Sequence, residues 1–164
     1  MKNPLMWQRG RFTLGLCVAG VLALLVGDNR ASAQGQGVYV TQATARLAKL
    51  IDKANEDGFK LQNNSFSIGG GWLKKSSEWA PIYTVKLNAG QKYRFLASGD
   101  DDATDVDLKV VDAKNNEVAI DDDTARDAVV NYTPRVSGRY TVHIRLYASR
   151  NDVDAVCLSV MMAK

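Results

Sequence analysis

The chain has 164 residues, 46% of them hydrophobic, with 21 basic and 18 acidic side chains and two cysteines. That supplies one domain with an ordinary core, and a net charge of +3 is too small to mark a nucleic-acid binder. Even this excess is local: residues 1–33 hold four basic residues and one acidic one, leaving 17 of each in residues 34–164.

Residues 1–33 read as a signal peptide. Lys2, Arg9 and Arg11 precede the apolar run FTLGLCVAGVLALLV, and Ala31-Ser32-Ala33 puts small residues before a cleavage point at Gln34. Fifteen residues reach only about 22 Å as a helix, short of a ~30 Å hydrocarbon core. An uncleaved anchor is the competing reading. A cleaved leader implies a secreted or periplasmic protein with no membrane contact thereafter. Cys157 is then the one cysteine left, so no internal disulfide forms. Its setting, AVCLSVMMA, marks it as a small buried hydrophobe.

Residues 34–60 form an N-terminal segment. After QGQG, the spacing predicts an amphipathic helix over Val38 to Phe59, with Val40, Ala43, Leu47, Leu50, Ile51 and Ala54 on one face. Gly58 is its stop signal. The apolar stripe either packs on the rest of the domain or docks the chain, as an accessory subunit, onto an exported enzyme or complex.

Residues 61–164 change to a period of two. The alternation predicts strands near 65–69, 81–87, 91–97, 105–111, 117–121, 127–132, 139–147 and 154–162. Turn chemistry separates them at Asn88-Ala89-Gly90, Gly99-Asp100, Lys114-Asn115-Asn116, Pro134 to Gly138 and Ser149 to Asp152. SIGGGW (Ser67 to Trp72) reads as a bulge or tight crossing. The fold class is mainly β: an antiparallel, jelly-roll-like sandwich of about eight strands after one helix.

The order of pieces AGQKYRF, DVDLKVVD, EVAIDDD and SGRYTVHI over residues 80–147 resembles the bacterial pre-peptidase C-terminal domain. Gly90, Tyr93 and Phe95, then Asp105, Asp107 and Leu108, then Gly138, Tyr140 and Val142 carry the resemblance. It implies a secreted β-sandwich module, with some relatives binding calcium or extracellular polymers.

Aspartates gather at both ends of the predicted hairpin. With the turn at Asp112 to Asn116, Asp107 falls opposite Asp121 and Asp105 opposite Asp123. Like charges opposed on a sheet repel, and two readings answer this. Either Ca²⁺ sits among Asp100, Asp102, Asp105, Asp107, Asp121 and Asp123, or these are loop carboxylates bonded to turn amides and neutralised by Lys109 or Arg126. The run lacks the glycine and glutamate of an EF-hand. Trp72, Trp79 and Tyr83, near Lys74 and Lys75, form either a sugar- or peptide-binding platform or the edge of the core. His143 is the sole histidine, falls on the outward side of its strand, and has no partner set for zinc or for a nucleophile. No catalytic residue is assigned. The reading is a non-catalytic module that binds an extracellular polymer or an exported protein, with calcium as a stabiliser.

Overall fold

The computed structural model describes residues 28–61 and 66–164, with side chains from Gly37 onward. The signal-peptide reading falls mostly on residues 1–27, which lie outside the described residues. The chain divides into two compact units, Met1–Gly35 and Gln36–Lys164, and all eight strands belong to the second. Among the described residues, no helix is long and apolar enough to cross a membrane.

Helix α1 spans Asp28–Glu56. It starts well before the predicted Val38, because isolated glycines cost a helix only about 1 kcal/mol each and do not end it. It stops where the sequence says. Gly58 takes a left-handed φ of 89°, its N–H donates to the Asn55 carbonyl and the Phe59 N–H to that of Ala54. This is a Schellman closure, with Phe59 packed beside Ala54.

Eight strands follow: β1 (Ser67–Leu73), β2 (Ala80–Leu87), β3 (Tyr93–Gly99), β4 (Ala103–Asp112), β5 (Glu117–Asp121), β6 (Asp127–Tyr132), β7 (Gly138–Ser149) and β8 (Ala155–Ala163). They form two antiparallel sheets, ordered β1-β8-β3-β6 and β2-β7-β4-β5. That order is the jelly roll expected from the sequence. The core lies between the sheets, where Phe95, Val106, Leu108, Val142, Ile144, Leu146 and Met161 are buried.

A second core lies outside the first sheet. Leu47, Ala54 and Phe59 pack on Leu96, Val160 and Met162, with Leu50 and Ile51 partly buried around them. The buried Ser98 hydroxyl donates to the Ala43 carbonyl at 3.0 Å, tying α1 to β3. This corrects the accessory-subunit reading for most of the stripe: Leu47 and Ala54, and Leu50 and Ile51 in part, are already covered by β3 and β8, while Val40 stays half-exposed. It also explains why β8 is apolar on both faces, the core on one side and α1 on the other.

The first strand runs to Leu73, past the predicted end at residue 69, and keeps an unbroken register with β8. SIGGGW is therefore strand, not bulge. Glycine is required there by crowding: a Cβ on Gly70, whose φ is +148°, would meet the Cys157 carbonyl oxygen at 2.1 Å.

Candidate functional site

The hairpin register differs from the one the turn implies. Val111 does face Glu117, but Val110 faces Ala119, so Val118 is an extra residue and Asp121 falls opposite Leu108. A one-residue slip moves a side chain to the other face of the sheet. Asp107 and Asp121 are thus not directly opposed, although Asp121 and Asp122 still act electrostatically on Asp107.

Three of the six acidic side chains, Asp100, Asp107 and Asp121, have structural partners. Asp100 is wholly buried; its Oδ1 accepts the Asp102 and Ala103 N–H groups at 2.9 and 3.3 Å, and its Oδ2 that of Val156 at 2.7 Å. The Asp102 carbonyl accepts the Arg150 N–H. Asp107 is buried against Arg145, with 2.6 Å between Nε and Oδ2. Asp121 Oδ2 accepts the Val129 N–H of β6 at 2.7 Å, and its Oδ1 that of Asp123. Asp123 is exposed. Asp105 is buried beside Asp107, with Oδ1 making no hydrogen bond. Among the described residues no three His, Cys, Asp or Glu side chains are grouped to hold a metal ion. Of the six aspartates named for a calcium shell, Asp100, Asp107 and Asp121 have carboxylate oxygens taken by backbone amides or Arg145.

Burial, and next to it the Asp107 charge, pushes the Asp105 carboxyl above the ordinary range. Burial raises Asp107 as well, opposed by its hydrogen bond from Arg145.

The three aromatic residues named from sequence go to three places. Tyr83 faces the core, its hydroxyl 3.0 Å from Ser159 Oγ, and burial raises its pKa. Trp72 stands half-exposed on β1, edge-on to Tyr39 at 5.2 Å. It borders a groove of about 300 Å³ with Val40, Gly71, Val156 and Leu158. Trp79 leans over the outer face of the β2-β7-β4-β5 sheet, with Lys109 Nζ and Arg145 Cζ 4.4 and 4.6 Å from its ring centroid. The single-platform reading is corrected: only Trp79 stays with the two lysines.

Around Trp79 lies a cleft of about 330 Å³, lined by Lys74, Lys75, Ser76 and Glu78 above Ile144 and Leu146. Its wall is pinned. The Ser76 N–H donates to the Leu146 carbonyl at 3.0 Å, Ser76 Oγ accepts the Glu78 N–H at 3.0 Å, and Lys75 pairs with Asp152 at 3.0 Å. His143 lies on the sheet face near this cleft, half-buried between Pro81 and Lys109 across the strands. Burial, then the Lys109 charge, lowers its pKa, so it is neutral at pH 7. Sequence reasoning named Lys109 only as a neutraliser of the aspartates and missed Arg145 and Tyr147, the latter with Arg145 Cζ 4.8 Å from its ring. Alternation in RYTVHIRLY puts Arg145 on the same side as His143; only the β4–β7 register brings Asp107 opposite Arg145 and Lys109 opposite His143.

No family model matches this chain, and no curated protein matches it. Among solved structures it is similar to the periplasmic inhibitor of g-type lysozyme PliG from Aeromonas hydrophila, at 14% identity over 62% of this chain and 89% of that one, with a TM-score of 0.46. It is also similar to the xylan-binding module CBM86 from Roseburia intestinalis, at 11% identity over 65% and 83% of the two chains and a TM-score of 0.38. Neither is a pre-peptidase C-terminal domain, and both likenesses stop at the β-sandwich architecture.

Proposed function

We propose that this chain is a non-catalytic binding module that acts outside the cytoplasm and takes its ligand in the Trp79 cleft. The observation that carries this is the fixed indole. Two cations under one ring hold it in place before any ligand arrives, which lowers the ordering cost of binding. Apolar Leu73 and Ala80, an aromatic wall, and lysine, serine and glutamate at the rim are the mixture that seats a sugar ring or a short stretch of an extracellular polymer. At about 330 Å³ the cleft lies at the small end of ligand pockets. The non-catalytic reading is supported by Asp100, Asp107 and Asp121, whose carboxylates are committed to structural partners. The N-terminal leader and the sequence resemblance to the pre-peptidase C-terminal domain support an exported module.

Affinity electrophoresis through gels cast with plant and bacterial polysaccharides tests the reading. At least one polymer is expected to retard the protein, Trp79→Ala to abolish the retardation, and Trp72→Ala to leave it intact. Unretarded migration in every polymer, or full retardation of a folded Trp79→Ala variant, overturns it.

A further inference from the structure

Four strands end the two sheets: β1 and β6 in one, β2 and β5 in the other. An edge strand leaves a row of backbone N–H and C=O groups open to another strand, and proteins blunt such edges with charge, proline, bulges or brevity. Three of the four are blunted. β2 carries Pro81, Lys86 and an irregularity between Pro81 and Tyr83. β5 has only five residues, with Glu117 and Asp121 at its ends. β6 begins with Asp127, and its Val129 N–H is already taken by the Asp121 carboxylate. β1, SIGGGWL, has no charge, no proline and no bulge along seven residues. Its outward side chains are large and apolar, Ile68 at 55% and Trp72 at 51% exposure, with Phe66 at 47% just before it.

The pattern of β1 is its own complement. A twofold axis through Gly70 sets two copies antiparallel, so that Ile68 of one lies opposite Trp72 of the other twice over. Gly69 then faces Gly71, and Phe66 faces Lys74, which suits a cation over a ring. No like charges oppose along this register. The groove beside Trp72 opens next to the same seam.

We propose that β1 is a homodimer interface, where a second copy of this chain continues the β6-β3-β8-β1 sheet across a twofold axis. The surface meets the Trp79 cleft at Lys74, which lines that cleft. Half-exposed Phe66, Ile68 and Trp72, with Val38 and Val40 alongside, amount over two copies to on the order of 1,000 Å². That is the lower bound of a specific interface.

Sedimentation velocity on the purified protein, over about two decades of concentration around micromolar, reads the outcome. The wild type is expected to pass from monomer to dimer, and Ile68→Lys/Trp72→Lys to remain monomeric with an unchanged circular dichroism spectrum. The single variant Ile68→Lys, at an exposed position, is expected to do the same should the double variant fold poorly. Mixing the double-lysine variant with Ile68→Glu/Trp72→Glu restores the dimer, since each lysine then faces a glutamate. A wild type monomeric throughout, a dimer indifferent to Ile68→Lys, or no dimer in the mixture overturns the proposal.

Discussion

Asp100→Ala is expected to remove about 3–4 kcal/mol of stability, and the figure follows from which amides it strands. The carboxylate serves three N–H groups, those of Asp102, Ala103 and Val156, while the Asp100 N–H donates to the Val156 carbonyl. The β3–β4 turn is thereby bonded in both directions to the start of β8. Asp102 is part-exposed and its amide can turn to water. Ala103 and Val156 are buried, at 0% and 5% exposure, so their amides lose all partners. Each stranded buried amide costs about 1–3 kcal/mol; the 3.3 Å bond of Ala103 belongs at the low end and the 2.7 Å bond of Val156 at the high end. The sum is about a third of the stability of a typical small domain. Asp100→Asn keeps one carbonyl oxygen, which serves either end but not both, and is expected to lose about half as much. Urea unfolding followed by far-ultraviolet circular dichroism measures both, as midpoint shifts at constant slope. An alanine variant within about 1 kcal/mol of the wild type would refute the reasoning, because the stranded amides must then find other partners.

With carboxylate oxygens of Asp100, Asp107 and Asp121 already taken, millimolar calcium or a chelator is expected to leave the melting temperature unchanged; a calcium-dependent rise of several degrees would support the metal reading. Burial raises the folded-state Asp105 carboxyl, so the native state binds its proton more tightly than the unfolded chain does. That contribution is fully present below the unfolded value and lost as pH rises through the folded one. Asp105→Asn is therefore expected to gain stability relative to the wild type between about pH 4 and neutrality, and a difference that is flat across that window counts against the assignment. Gly70→Ala would put a Cβ 2.1 Å from the Cys157 oxygen and 2.8 Å from Leu158 Cα, and is expected to cost on the order of 3 kcal/mol or more. Gly71→Ala, with nothing within 4 Å of the added carbon, is the near-neutral control in the same unfolding assay. Burial, with a smaller contribution from Asp100, raises the Cys157 thiol to about 12. It is expected to ignore a disulfide reagent in the native protein at pH 8 and to react on unfolding; prompt native-state reaction would contradict its burial.

Strand positions, the Gly58 helix stop and the mainly-β class were legible in the chain because they are local. A period of two, a turn at Asn115-Asn116 and a left-handed glycine are properties of a few consecutive residues. The aromatic cluster was legible only in part: of Trp72, Trp79 and Tyr83, Trp79 alone kept the lysines. Tertiary structure decided the rest. One extra residue at Val118 turned Asp121 away from Asp107, and the β4–β7 register supplied Arg145 in its place. Cross-strand neighbours come from distant segments, and their register is chosen by which side chains fill the core. A single-residue slip reverses every face while leaving the alternation in the sequence unchanged.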